Sequence, residues 1–461
     1  PVRNDLSAVP DPERLAIRPG TDTAQQLALS YVLIAESLYD QAFVASHTVG
    51  FAPYRAYLLG EHDGVAKTPA WAAAITGLDA QRIADLAREM TRHRTMVNIS
   101  WSIQRARQGE QAYWATVALT ALLGQIGTPG GGLEFGYACT NLAGAVRKAF
   151  SGPRLPAGEN AVDSVIPVAR LSDMLLHPGE TYEFDGQQRR YPDIRLVYWA
   201  GGNAFHHHQD LNRLCEAWRR PETVVVHEQY WTAQAKFSDI VLPATTSLER
   251  EDIGSGGHDG FMIAMSAQIP PVGEARDDYA IFCDLADRLG FGEAFSEGRD
   301  AGQWLRHLYE ESRPRAQEEG IALPSFDDFW QQGVLEHSAP ERPQIFLADF
   351  RADPERYPLS TPSGKIELFS ATVAGFGYRE CPGHPWWDEQ EAARQRQEAA
   401  RWPLHLLSSQ PRARLHSQYD HGSVSRATED HGREPVWMLP SEAEGRDICE
   451  GSVVKVYNDR G

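Results

Sequence analysis

Three short apolar runs, each ending in a polar turn, constrain this chain more than any other feature. Ile194-Arg195-Leu196-Val197-Tyr198-Trp199-Ala200 reads as a buried parallel strand, and it ends in Gly201-Gly202-Asn203-Ala204-Phe205-His206-His207-His208-Gln209-Asp210. A helical segment, 211–218, comes directly after. Thr223-Val224-Val225-Val226 is the next strand and ends in His227-Glu228-Gln229. Asp239-Ile240-Val241-Leu242 is the third and ends in Pro243-Ala244-Thr245-Thr246-Ser247. An open α/β sheet binds ligands just beyond the carboxyl ends of its strands. Three successive strand ends carrying amides, imidazoles, hydroxyls and a carboxylate suit a large polar ligand.

The totals narrow the partners. At 461 residues the chain has room for about two to four domains and for substantial cores. The formal net charge is −19, from 63 acidic and 44 basic side chains. Such an acidic balance argues against nucleic acid or an anionic membrane as the main partner. A negatively charged cofactor would need local arginines, histidines and backbone N–H groups instead. The five cysteines, Cys139, Cys215, Cys283, Cys381 and Cys449, are far apart and form no CxxC, which argues against an iron–sulfur cluster or a zinc ribbon. No apolar run approaches membrane-spanning length and no signal peptide is visible.

In chain order, helices are expected over 22–36, 69–76, 79–91 and 110–124. The last of these is small and apolar all round and should be buried. Between them lies a short strand running into the polar turn Trp101-Ser102-Ile103-Gln104-Arg105. Residues 138–165 read as a crossover, 163–176 as a helix, and 180–192 as a hairpin around Asp185-Gly186. Further helices are expected over 277–289, 302–312 and 326–332, and the charged helix 392–400 resembles a linker. From Trp402 the texture turns to strands, at 403–407, 436–439 and 452–457, the start of a β-barrel-like domain. The expected fold is α/β: a multidomain chain of open parallel sheets in Rossmann-like layers, with the start of a C-terminal β-barrel domain. The expected divisions are 1–147, 148–400 and 401–461.

Each polar cluster has a plain reading beside the functional one. Adjacent residues on a turn cannot all aim at one ion, so zinc is the least favoured reading of His206-His207-His208; surface histidines at a helix entry and contacts to a nucleotide-like ligand are the others. Glu228 after a valine strand is the kind of residue that holds a ribose hydroxyl, but no GxGxxG opens a βαβ unit, so NAD is unsupported. Arg105 and Arg107 are either phosphate forks or exposed turn arginines. Glu249-Arg250-Glu251-Asp252 reads most simply as a solvated charge run. The stretch Ser408-Ser409-Gln410-Pro411-Arg412-Ala413-Arg414-Leu415-His416-Ser417-Gln418 is a donor-rich loop or a long surface loop. No nucleophile elbow, serine triad or carboxylate pair stands out.

Taken together these segments resemble the dimethyl sulfoxide reductase family of molybdopterin oxidoreductases, on the trimethylamine N-oxide, dimethyl sulfoxide and biotin sulfoxide reductase branch. The resemblance is carried by Trp101–Arg105, Gly109-Glu110-Gln111, the run from Leu123 to Gly132, Ile166-Pro167-Val168-Ala169-Arg170, the turn from Asn203 to Asp210, and the run from Ala235 to Asp252. Glu274-Ala275-Arg276-Asp277-Asp278-Tyr279, Thr361-Pro362-Ser363-Gly364 and Leu415-His416-Ser417-Gln418 extend it. It implies one molybdenum held by two molybdopterin guanine dinucleotides, a small S-oxide or N-oxide substrate, and an electron donor protein or reductant. It also implies roles: Trp101, Ser102 and Arg105 on a pterin dinucleotide; Asn203, His207, His227 and Glu228 on a nucleotide end; Ser409, Arg414, His416 and Ser417 on the barrel side. No metal ligand is expected among these residues; the ligand serine of the family would precede Pro1, so the chain reads as an internal piece that cannot by itself hold molybdenum productively. Ala204 departs from the proline common in relatives. A formate- or nitrate-type branch and a nucleotide-binding module without redox chemistry are the alternatives. The periplasm is the first choice of compartment and the cytoplasm the second.

Overall fold

The computed structural model describes residues 12–135, 150, 152–256, 260–337, 343–408 and 411–461. Its first unit is helical. Helices α1 (Asp22–Ala35), α2 (Phe51–Leu58), α3 (Pro69–Thr76) and α4 (Ala80–Arg92) precede a short strand, β1 (Met96–Ile99). Helix α5 (Gly109–Leu123) then returns to β2 (Gly132–Phe135), which pairs parallel to β1. Local chemistry sets the boundaries. Thr68 and Asp79 accept hydrogen bonds from the N–H groups of Trp71 and Arg82, and Pro69 sits where a missing N–H costs nothing. Gly77 ends α3 at φ 79°, a left-handed turn that a side chain would strain.

The apolar faces of α1 and α5 meet in the main core, where Leu27, Leu33, Leu58, Leu119 and Leu122 are almost wholly buried. Each such side chain contributes roughly 1.5–3 kcal/mol of transfer free energy. Phe350, Ile366 and Leu368 also enter this core, and Trp386 and Trp387 pack on it. Ile366 and Glu367 pair parallel with Thr48 and Val49, so the chain returns to its first unit after the second sheet is built.

The sheet anticipated from sequence is present. Strands β3 (Leu196–Ala200), β4 (Thr223–Glu228) and β5 (Ile240–Pro243) lie side by side, all parallel. The crossovers are short helices, α6 (Ala204–His207) with α7 (Leu211–Ala217), and α8 (Ala233–Lys236). Leu214, Ala217, Trp218, Phe205 and Val224 form the core beneath this sheet. A separate antiparallel sheet joins β6 (Asp252–Ser255), β7 (Phe261–Met265) and β8 (Val334–Glu336). It packs with α10 (Ala301–Glu318) and α11 (Phe326–Gln332), which follow α9 (Asp278–Leu289). Helix α12 (Glu389–Arg401) leads into the last segment.

Three expectations need correction. Of 163–176, only 168–176 is helical, as a short 3-10 turn and the helix Leu171–Leu176; Val162 and Val165 are exposed and give the earlier residues no apolar face to bury. Helix α10 runs through Pro314 to Glu318 instead of stopping at 312, its start secured by an Asp300–Gln303 capping box and its buried stripe continuing through Ser312 to Ala316. The C-terminal strands do not form among the described residues. There 403–408, 436–439 and 452–457 are irregular, with only single bridges such as Leu415 with Gln418. Leu406 is 68% exposed, Trp437 85% and Val453 73%, so no neighbouring strand receives their backbone groups, and a pleated segment without a ladder partner is not stable. The fold is mixed α/β with small sheets, and no closed barrel is present among the described residues. No helix among them is long and apolar enough to cross a membrane.

Candidate functional site

The carboxyl ends of β3, β4 and β5 lie together because the strands are parallel and in register: Ala200 faces His227, and Glu228 faces Pro243. Beyond β3 the backbone turns through Gly201 and Gly202, at φ 84° and 81°. A Cβ at Gly201 would meet nothing within 4 Å, so the turn leaves open space beside the strand end. Asn203, buried at 5% exposure, starts α6 by accepting from the Phe205 N–H at 3.1 Å. Gln234, fully buried, accepts from the Ala204 N–H, while its own amide nitrogen has no hydrogen-bond partner among the described residues.

Helix α6 presents His206 and His207 to the C-terminal loop. The ring of His416 lies 4.4 Å from that of His207 and 5.9 Å from that of His206, centroid to centroid, edge-on in both cases. Arg414 sits in the same loop, paired with Asp420 at 3.4 Å and with Glu434. Burial pushes the His206 imidazole below its ordinary pKa, and the neighbouring His207, His416 and Arg414 push the same way against Asp420. His416 is lowered too, by burial first and then by His207 and Arg105. Arg105 is thus within electrostatic range of His416. The Trp101–Arg105 turn is a short 3-10 helix in which the Ser100 and Ser102 hydroxyls are 2.9 Å apart, and Trp101 is exposed.

His227 behaves differently from the sequence expectation of a ligand-facing ring. Its side chain is 1% exposed and both nitrogens are engaged: Nδ1 with Asp278 Oδ1 at 2.7 Å and Nε2 with the Tyr198 hydroxyl at 2.7 Å. An ionised Asp278 can only accept, so Nδ1 carries the hydrogen and, in the neutral ring, Nε2 accepts from Tyr198. Burial raises the Tyr198 pKa, and the Asp278 charge adds to it, which keeps the hydroxyl a donor. Phe282 lies on the imidazole at 5.0 Å. Next to it, Glu228 accepts from the Thr232 hydroxyl at 2.7 Å and the Gln229 N–H at 2.9 Å. Gln229 reaches across to the Thr245 carbonyl at 3.0 Å and joins the ends of β4 and β5.

The structure thus brings together Arg105, Asn203, His207, Arg414 and His416, with Glu228 one strand away. Ser417 follows in the same loop. Ser409 lies outside the described residues. Sequence reading missed Tyr198, Thr232, Gln234 and Asp278. Tyr198 sits diagonally across from His227 on one face of the sheet, a pairing that strand register alone would have shown. Glu249, read as solvated, is instead buried and accepts from Thr246 at 2.6 Å and 2.7 Å and from the Val272 N–H at 2.8 Å.

Guanidinium and imidazole groups of the C-terminal loop are set against the turn at the end of β3, and such groups are suited to a polyanionic ligand. The sequence agrees. Residues 3–288 match the molybdopterin oxidoreductase family, and residues 404–461 match the molydopterin dinucleotide binding domain. The chain belongs to the molybdopterin oxidoreductase family. It is similar to biotin sulfoxide reductase from Cereibacter sphaeroides, with 47% identity over 462 residues, 100% of this chain and 62% of that protein. It is also similar to the dimethyl sulfoxide/trimethylamine N-oxide reductase of the same organism, at 43% identity over 100% of this chain and 58% of that protein. Trimethylamine-N-oxide reductase 1 of Escherichia coli (strain K12) is 41% identical over 97% of this chain and 55% of its own length. The chain therefore spans about three fifths of the length of the curated relatives it matches. Among solved structures, acetylene hydratase from Pelobacter acetylenicus superposes with a TM-score of 0.63 over 94% of this chain and 59% of that one, at 20% identity, a likeness of fold.

The residues present fit a molybdopterin cofactor. Arg105 and Arg414 suit its phosphates, and the Gly201-Gly202 turn leaves room for close approach. Gln234 accepts from the Ala204 N–H beside the cap of α6, and its amide nitrogen stays buried there with no partner among the described residues.

Proposed function

We propose that this chain supplies the dinucleotide-holding part of a molybdenum oxidoreductase that reduces S-oxides or N-oxides. Dimethyl sulfoxide, trimethylamine N-oxide, biotin sulfoxide and methionine sulfoxide are the substrate class. The cofactor in this reading is molybdenum held by two molybdopterin guanine dinucleotides. When bound, it supplies the two-electron oxygen-transfer chemistry, with a donor protein or reductant restoring it. What the chain's own residues do is bind and orient. Arg105 and Arg414 neutralise phosphate, the Asn203 turn admits the nucleotide, and Glu228 holds a ribose hydroxyl from the end of β4. His227, with both nitrogens occupied, stiffens that strand end in place of touching the ligand with its ring. In the same reading 401–461 belongs to a dinucleotide-binding domain, 1–147 and 148–400 are the α/β domains, and the protein works in respiration in the periplasm.

One observation carries this reading: the approach of His416 to His207 at 4.4 Å, which sets the C-terminal loop against the turn at the end of β3. The test is to express the whole protein that carries this chain where molybdopterin is made, then measure molybdenum, acid-released nucleotide and sulfoxide-dependent oxidation of reduced viologen. Two guanine nucleotides per molybdenum with turnover support it. Protein that carries no pterin, or that releases a different nucleotide, overturns it.

A further inference from the structure

Beyond the groups that would touch a cofactor, two buried carboxylates grip the chain just after the Trp101–Arg105 turn. Asp388 is 3% exposed and Glu391 7% exposed, both unusual for acidic side chains. Asp388 accepts from the Gln108 side-chain amide at 3.3 Å and from Arg379 at 3.1 Å, and it caps α12 through the Gln390 and Glu391 N–H groups. Glu391 pairs with Arg107 at 3.0 Å and with Arg394 at 2.7 Å. Gln111, also buried, accepts from the Trp386 N–H at 3.0 Å. Three successive bonds from 386–391 therefore land on 107–111.

The held segment is not relaxed. Gln108 has φ 54°, a left-handed conformation that a glutamine adopts only when its surroundings impose it. A Cβ on Gly109 would collide with the Ile103 carbonyl oxygen, so the turn folds back tightly on the start of α5. At its far end, α12 runs through Arg401 into the segment that carries Arg414 and His416. The first turn of α12 thus grips the segment that follows the Arg105 turn, and the His416 loop comes later in the chain.

We infer that Asp388 and Glu391 are positioning residues: through Gln108 and Arg107 they hold the Arg105 turn at the distance from the His416 loop that the cofactor requires. Neither carboxylate touches the ligand. The role assigned to the held turn rests on the function proposed above, but the grip itself does not.

The test compares wild type with Asp388→Asn, Glu391→Gln, Arg107→Ala and the pair Glu391→Gln/Arg107→Ala, in protein made with and without molybdopterin. The Asp388→Asn change keeps a side-chain oxygen for the helix cap, so exchange protection within α12 serves as the folding control. Amide exchange over 101–108 is expected to rise about tenfold or more in each single variant, the gain set by losing a charged hydrogen bond. The Glu391→Gln/Arg107→Ala pair should add nothing beyond either single change, a coupling that general destabilisation does not produce. In the loaded protein, the visible spectrum of the cofactor should shift and pterin content fall by a similar factor. Unchanged exchange over 101–108, or strictly additive effects of Glu391→Gln and Arg107→Ala, overturns the inference even if pterin is bound. Pterin-free wild-type protein overturns the proposed function, and the exchange arm still decides the grip.

Discussion

Replacing Tyr198 by Phe removes one hydroxyl and leaves the ring in place. The ring packs 5.8 Å from Phe282 and 5.3 Å from His227, so no cavity of consequence forms. What changes is His227. Its Nε2 loses its 2.7 Å donor while the side chain stays 1% exposed. An unsatisfied buried acceptor costs about 1–3 kcal/mol, and each 1.4 kcal/mol is about tenfold in a local opening equilibrium. A chain of this size does not unfold as one cooperative unit, so global melting is the wrong assay. Site-resolved amide exchange over Thr223–Glu228 reads the effect where it arises. Exchange there should quicken by about fivefold to a hundredfold, with that of α1 and α5 unchanged. Asp278→Asn should act in the same direction but more weakly, because a carboxamide oxygen still accepts from Nδ1–H without the charge. Identical exchange in wild type and Tyr198→Phe would show that the Tyr–His–Asp chain does not stiffen this strand end.

Other expectations are equally direct. Glu249 is held below its ordinary pKa by the Thr246 hydroxyl and then by the N–H groups of Thr246 and Val272. A depressed carboxyl stabilises fully above its unfolded pKa, about 4.3, and loses that contribution as pH falls through the folded value; Glu249→Gln should flatten the acid limb of a stability–pH curve, and an unchanged limb would refute the assignment. Gly109→Ala should favour α5 by about 1 kcal/mol on propensity alone, yet the collision with Ile103 should displace the Arg105 turn and lower pterin content; retention of full pterin content would count against the tight turn. Leu33→Ala, in the fully buried face of α1, should cost about 2–5 kcal/mol by denaturant titration of that unit's transition. Arg414→Ala and Arg105→Ala should each weaken dinucleotide retention in gel-filtered protein, and the gap to wild type should narrow with added salt, because screening weakens the phosphate contact that only wild type retains.

The parts of the fold that were legible in sequence are those decided locally. The helix starts at Asp79 and Ser325 and the hairpin at Asp185-Gly186 follow from caps and turn residues. The three parallel strands follow from continuous apolar runs, and their order in space follows their order in sequence. The approach of Arg105, His207 and His416 came through the family resemblance, since no local spacing relates residues so far apart. The remainder depended on tertiary partners. Tyr198 and Asp278 matter only because of what faces His227. Glu249 looked like one member of a charge run, and only the fold back to Val272 buries it. The segments 403–407, 436–439 and 452–457 carry strand-forming residues, but a strand needs a backbone ladder between two segments, and among the described residues none forms there, although Tyr457 packs on Trp402.

Helix α12 has 13 residues and so extends about 20 Å. Its first turn is pinned to the segment that follows the Arg105 turn, through Asp388 and Glu391, so its axis is fixed at that end. A single inserted residue midway would lengthen it by only about 1.5 Å but swing everything downstream through about 100°. Such an insertion would turn Arg401 and Trp402 away from Asp459, which both side chains now meet at 3.0 Å, and would free the far end of the helix from the last residues of the chain.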